Sequence, residues 1–136
     1  MTRLCDWQKR LNQYLIATAS REFSYGLYDC GQFILGAVEA MYGVCFPFPA
    51  YDNRREGFAA IRRLCGHATC NAIGDYFARQ LGAGSSREVA FVQRGNPVLL
   101  TGGRFGLIDC SGCVLTPAKT GLVRVRMDHV QKFWRV

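Results

Sequence analysis

Histidine is almost missing from this chain, with two in 136 residues, His67 and His129. Proton-transfer chemistry that needs an imidazole therefore has two places to draw on. Also missing is any apolar core at the N-terminus, Met-Thr-Arg-Leu-Cys-Asp-Trp-Gln-Lys-Arg, and any apolar run long enough to span a bilayer, since the most apolar stretch (33–44) is broken by Glu39. The chain accordingly reads as soluble and unsecreted, with no membrane span. It has no internal repeat and no low-complexity segment, so neither a repeat array nor a disordered tail is expected. Acidic residues are few, 10 against 17 Lys and Arg, for a net charge of +7. The basic residues are scattered, with short clusters at Arg54-Arg55, Arg62-Arg63 and Arg124/Arg126, and no nucleic-acid motif accompanies them. A solvated basic surface explains them, and contact with an acidic partner remains compatible.

What is present is a core. Hydrophobic residues make up 49% and charged residues 20%, which suits one globular domain over 1–136. Seven cysteines, an odd number without a leader sequence, point to reduced thiols rather than a disulfide framework.

The periodicity divides the chain into a mainly helical part (1–88) and a mainly β part (89–136). Leu4, Trp7, Leu11, Tyr14 with Leu15, and Thr18 recur at helical spacing, predicting an amphipathic helix over 3–19. Cys30, Phe33 with Ile34, Ala37 with Val38, and Met41 predict a second over 30–42, with Asp29 as N-cap and Gly43 as terminator. The proline-bearing segment 45–53 is an extended connection. Phe58, Ile61 and Leu64 mark a third helix, and Ile73, Tyr76 with Phe77, and Leu81 a fourth that stops at Gly82. Residues 82–87 read as a loop; without a preceding strand or a closing Gly-Lys-Ser/Thr they form no phosphate cradle. Glycine-separated β-like runs follow at 98–101, 104–110, 113–116 and 122–127, with turns at Gly102-Gly103, Ser111-Gly112 and 119–121. In the last run Val123, Val125 and Met127 alternate with Arg124 and Arg126, predicting a half-buried antiparallel strand.

The most informative stretch is 23–35, where an Asp-Cys pair follows a glycine turn into an apolar helix. A thiol there meets the positive end of the helix dipole and unpaired N–H groups, which favour the thiolate and suit a developing oxyanion. Cys30 is the candidate nucleophile; a thiol kept only for packing is the alternative. A second constellation consists of Cys65 and Cys70 with Cys110 and Cys113, four thiols suited to zinc or an iron–sulfur cluster. Cysteines buried as small core residues are the competing explanation, and no cofactor is assigned.

The early helix with Trp7 and Leu11, Phe23-x-Tyr-Gly-x-x-Asp-Cys30, the Tyr51 region, Arg94-Gly-Asn-Pro-Val-Leu-Leu100 and Phe133-Trp-Arg-Val136 together resemble a small family of phage-encoded proteins. That family is similar to the NlpC/P60 cysteine peptidases, whose phage members are tail-tip proteins acting on peptidoglycan. The resemblance implies a papain-like α+β fold, helices first and a small antiparallel sheet second. It places Cys30 at the nucleophile and Asp29 at the acid before it. It also places Phe23 where an oxyanion tyrosine is expected and Arg104 where the base histidine is expected. A guanidinium keeps its protons and has no lone pair to accept another, so Arg104 acts on Cys30 only as a fixed charge. The expectation is a tail-tip, baseplate or tail-assembly protein in the virion, made in the host cytoplasm, that contacts other tail proteins and peptidoglycan and is weak or inactive as a hydrolase. An active cysteine peptidase or amidase and a metal-stabilised binding module are the alternatives.

Overall fold

The computed structural model describes residues 1–24, 29–109 and 113–136. Four helices come first: α1 (Trp7–Thr18), α2 (Cys30–Tyr42), α3 (Arg54–Cys65) and α4 (Cys70–Leu81). Six strands follow, β1 (Ser85–Ser86), β2 (Pro97–Leu100), β3 (Phe105–Ile108), β4 (Val114–Ala118), β5 (Gly121–Val125) and β6 (Val130–Trp134). The strands form one antiparallel sheet in the order β1-β6-β2-β3-β4-β5. The architecture is α+β.

Local chemistry sets the helix ends. Asp29, Asn53 and Thr69 each accept a backbone N–H three residues on, capping α2, α3 and α4. Gly43, Gly66 and Gly82 close the same helices in the left-handed conformation, which lets their N–H groups meet the last carbonyls. The first helix begins later than its periodicity predicts. Leu4 gives its N–H to the Met41 carbonyl (2.9 Å), which ties the entry segment to the end of α2.

Two corrections concern the sheet. The segment 82–87 is not wholly a loop, because Ser85 and Ser86 pair with Trp134 and Phe133 as the edge strand β1. The run predicted over 122–127 ends at Val125; a short 3-10 turn (Met127–His129) then sends the chain back as β6 between β1 and β2. Val123, expected to face inward, is 42% exposed because β5 is the opposite edge. The Ser111-Gly112 turn lies outside the described residues.

One apolar cluster joins the helices to the sheet: Leu11 of α1, Phe33 and Val38 of α2 and Phe77 of α4 meet Phe105, Leu107 and Trp134. A smaller cluster of Val98, Leu100, Ile108, Val114, Val130 and Phe133 forms a second core. The whole of β2 and β3 is buried. The end of β6 is tied to α4 by polar bonds, Trp134 Nε1 donating to Asp75 Oδ1 at 2.9 Å and Lys132 Nζ to the same oxygen at 3.0 Å.

Burial works to raise the Asp75 carboxyl, but the Trp134 and Lys132 bonds outweigh it and hold the group below its ordinary value. A depressed carboxylate stabilises the fold above its unfolded pKa, about 3.9, and loses that contribution as pH falls through the folded value. Asp75→Ala is expected to cost about 1–3 kcal/mol at neutral pH, chiefly by leaving the buried indole N–H unpaired. In chemical denaturation, the gap from the parent protein should narrow below about pH 4.

Candidate functional site

Asp29 adopts an extended conformation and stops the incoming chain, so α2 starts with Cys30. Its carboxylate is 5% exposed and fully engaged: Oδ1 accepts the Gln32 N–H (2.8 Å) and Oδ2 accepts the Tyr51 hydroxyl (2.5 Å). The tyrosine stays protonated, because burial, the bond to Asp29 and the negative charge of Asp29 all push its pKa upward. The extended 45–53 connection thus does one specific thing, which is to carry Tyr51 onto the cap of α2.

Cys70 is the first residue of α4 and lies behind its own cap, Thr69. Its Sγ stands 3.7 Å from Cys30 Sγ. Two helix N-termini therefore converge on two sulfurs. Cys30 is held below the ordinary thiol value, first by its hydrogen bond with Cys70, then by the Phe105 backbone N–H and the charge of Arg104, against burial and Asp29. Cys70 is pushed up by the same Cys30 bond and by burial. The pair therefore gives up its first proton more easily than its second.

Both sulfurs open onto a cleft of about 780 Å³. Phe23, Asp29, Tyr51 and Arg104 line it, with Phe58, Ile61 and Ile73 as apolar wall. Phe23 is held there by its N–H on the Lys119 carbonyl (3.2 Å), which draws the chain before Cys30 across the β4–β5 turn. Arg104 reaches the cleft from the turn that joins β2 to β3, and Arg54 and Lys119 add two more cations to the lining. Among the described residues, none of these three cations forms an ion pair.

The structure thus brings Cys30, Asp29, Arg104 and Phe23 into one cleft. Neither histidine lines it. His67 is exposed in the α3–α4 connection, and the His129 side chain is 53% exposed beside Asp128. Among the described residues the proposed metal quartet is not brought together. Cys70 faces Cys30, Cys113 Sγ accepts from Arg124 Nη1 (3.0 Å), and Cys110 lies outside the described residues. Among the described residues no three His, Cys, Asp or Glu side chains are placed to hold a metal ion. The spacing of the sequence hid the partnership of Cys70 with Cys30, although one signal was available: Asp29-Cys30 and Thr69-Cys70 are both a capping residue followed by a cysteine.

Fold and site together define an α+β protein with a paired thiol at the foot of a basic cleft. The chain belongs to the family described as domain of unknown function DUF6950, whose model matches residues 2–136. No curated protein matches the chain.

Proposed function

We propose that this protein is a tail-tip, baseplate or tail-assembly component of a phage, descended from NlpC/P60-type peptidoglycan hydrolases, whose Cys30 cleft binds cell-wall peptide without turning it over efficiently. The observation that supports this most is the lining of the cleft. A cysteine starts a helix packed against an antiparallel sheet, while no imidazole lines the cleft among the described residues and Arg104, which the resemblance matches to the base, does line it. A thiolate without a partner to shuttle protons loses orders of magnitude in rate. The cations Arg54, Arg104 and Lys119 suit a peptide bearing carboxylates.

The test is direct. Purified protein incubated with muropeptides should bind them without releasing cleaved products, and Arg104→Glu should weaken binding by about tenfold at low salt, less at high salt. The protein should also be found in assembled particles by mass spectrometry; its absence there would sink the tail role. The low Cys30 pKa favours a second reading, an active peptidase or amidase. Muropeptide cleavage that disappears in Cys30→Ala would establish it in place of the first.

A further inference from the structure

We propose that Cys30 and Cys70 form a redox-active dithiol that exchanges with the disulfides of small thiols, Cys30 attacking and Cys70 resolving. The inference rests on the placement of the two sulfurs and does not depend on what else the cleft binds. Among the described residues theirs is the one thiol–thiol contact, at 3.7 Å between residues 40 apart in sequence. Both cysteines open capped helices of 12 or 13 residues, so the two sulfurs sit at the positive ends of two helix dipoles. The Phe105 N–H approaches both sulfurs from the sheet. A packing thiol would need none of this, nor an open cleft through which a disulfide can reach it.

The roles follow from the asymmetry between the two thiols. Cys30 is the thiol whose pKa is lowered, with the charge of Arg104 contributing, while that of Cys70 is raised. In the first step the Cys30 thiolate attacks one sulfur of R–S–S–R. A Cys30–S–S–R bond forms, the R–S–S–R bond breaks, and one R–S⁻ leaves and is protonated by solvent. That step also removes the negative sulfur that raised the Cys70 pKa, so Cys70 can now lose its proton to water. Its thiolate then attacks Cys30 Sγ, the mixed disulfide breaks, and the second R–S⁻ departs. Two protein thiols are oxidised by two electrons while one external disulfide is reduced to two thiols. The sulfurs need to close from 3.7 Å to about 2.05 Å. Arg54, Arg104 and Lys119 make glutathione disulfide, with its carboxylates, a fitting probe. The oxidised form has no thiolate in the cleft, so any nucleophilic chemistry of Cys30 is switched off with it.

The experiment equilibrates the full chain with mixtures of reduced and oxidised glutathione, quenches by alkylation and maps the cysteines by mass spectrometry. The parent protein should yield a Cys30–Cys70 cross-linked peptide, leaving exposed Cys5 and Cys45 alkylated. Cys70→Ser should instead trap one glutathione on Cys30. Cys30→Ser should lose the cross-linked peptide and carry at most one glutathione, on Cys70. A cross-link between other cysteines, or full alkylation of both Cys30 and Cys70 after oxidised glutathione, overturns the proposal. The parent measurement alone decides the matter if a variant fails to fold.

Discussion

Trp134→Ala should lower the stability of this protein by about 3–5 kcal/mol, a large part of the 5–15 kcal/mol typical of a domain. The side chain is fully buried, sits edge-on to Phe105 with ring centroids 5.6 Å apart, and gives its N–H to Asp75. Truncation removes that packing, leaves a cavity and orphans one bond of the α4–β6 tie. The indole also fits so closely over α4 that a Cβ built on Gly74 would come within 2.2 Å of Trp134 Cζ2. Gly74→Ala should therefore be destabilising despite the better helix propensity of alanine, by about 1–3 kcal/mol. The double variant separates the two effects. With the indole gone the methyl has room, so Gly74→Ala should become neutral or stabilising in the Trp134→Ala background, a coupling of about 2 kcal/mol or more in a denaturation cycle. Additive costs would mean that Trp134 does not lie over Gly74. Because α4 also carries Cys70, the Trp134 variant should react more slowly at Cys30 with alkylating agents.

The parts of this structure that could be read from the sequence are those decided within a few residues. The second, third and fourth helices announce themselves through a capping side chain, an apolar stripe and a closing glycine. The start of α1 could not be read, because Leu4 is tied through its N–H to the distant Met41 carbonyl as well as to its neighbour Trp7. β1 is two serines with no apolar alternation, and it exists only because β6 presents an edge to it. The same limit governs the site. Cys30 and Asp29 are legible because cap and cysteine are adjacent, whereas spacing groups Cys70 with Cys65 and the fold turns it to Cys30. Other distinctive stretches have structural work elsewhere. Arg94–Leu100 and the terminal Phe133–Val136 meet each other, Asn96 Nδ2 donating to the Val136 carbonyl at 3.2 Å, and neither stretch lines the cleft.

Asp29 offers the sharpest test of how the cleft tunes its thiol, because its two oxygens do structural work while its charge does electrostatic work. Asp29→Ala removes the cap of α2, at about 0.5–2 kcal/mol, and leaves the buried Tyr51 hydroxyl without its acceptor, at about 1–3 kcal/mol. Asp29→Asn keeps a side-chain oxygen for one of these bonds and should retain much of the stability. It removes the negative charge, however, and that charge pushes the Cys30 pKa upward. The sign is therefore opposite to that expected if the carboxylate activated the cysteine as a base. A thiol reacts above its pKa, so in Asp29→Asn the onset of iodoacetamide labelling at Cys30 should move to lower pH than in the parent. Cys70→Ala should move it the other way, because the strongest support of the thiolate, the Cys70 S–H, is gone. Slower labelling in Asp29→Asn at every pH would instead make the carboxylate a working partner of Cys30, and would turn the balance from a binding cleft toward an active hydrolase.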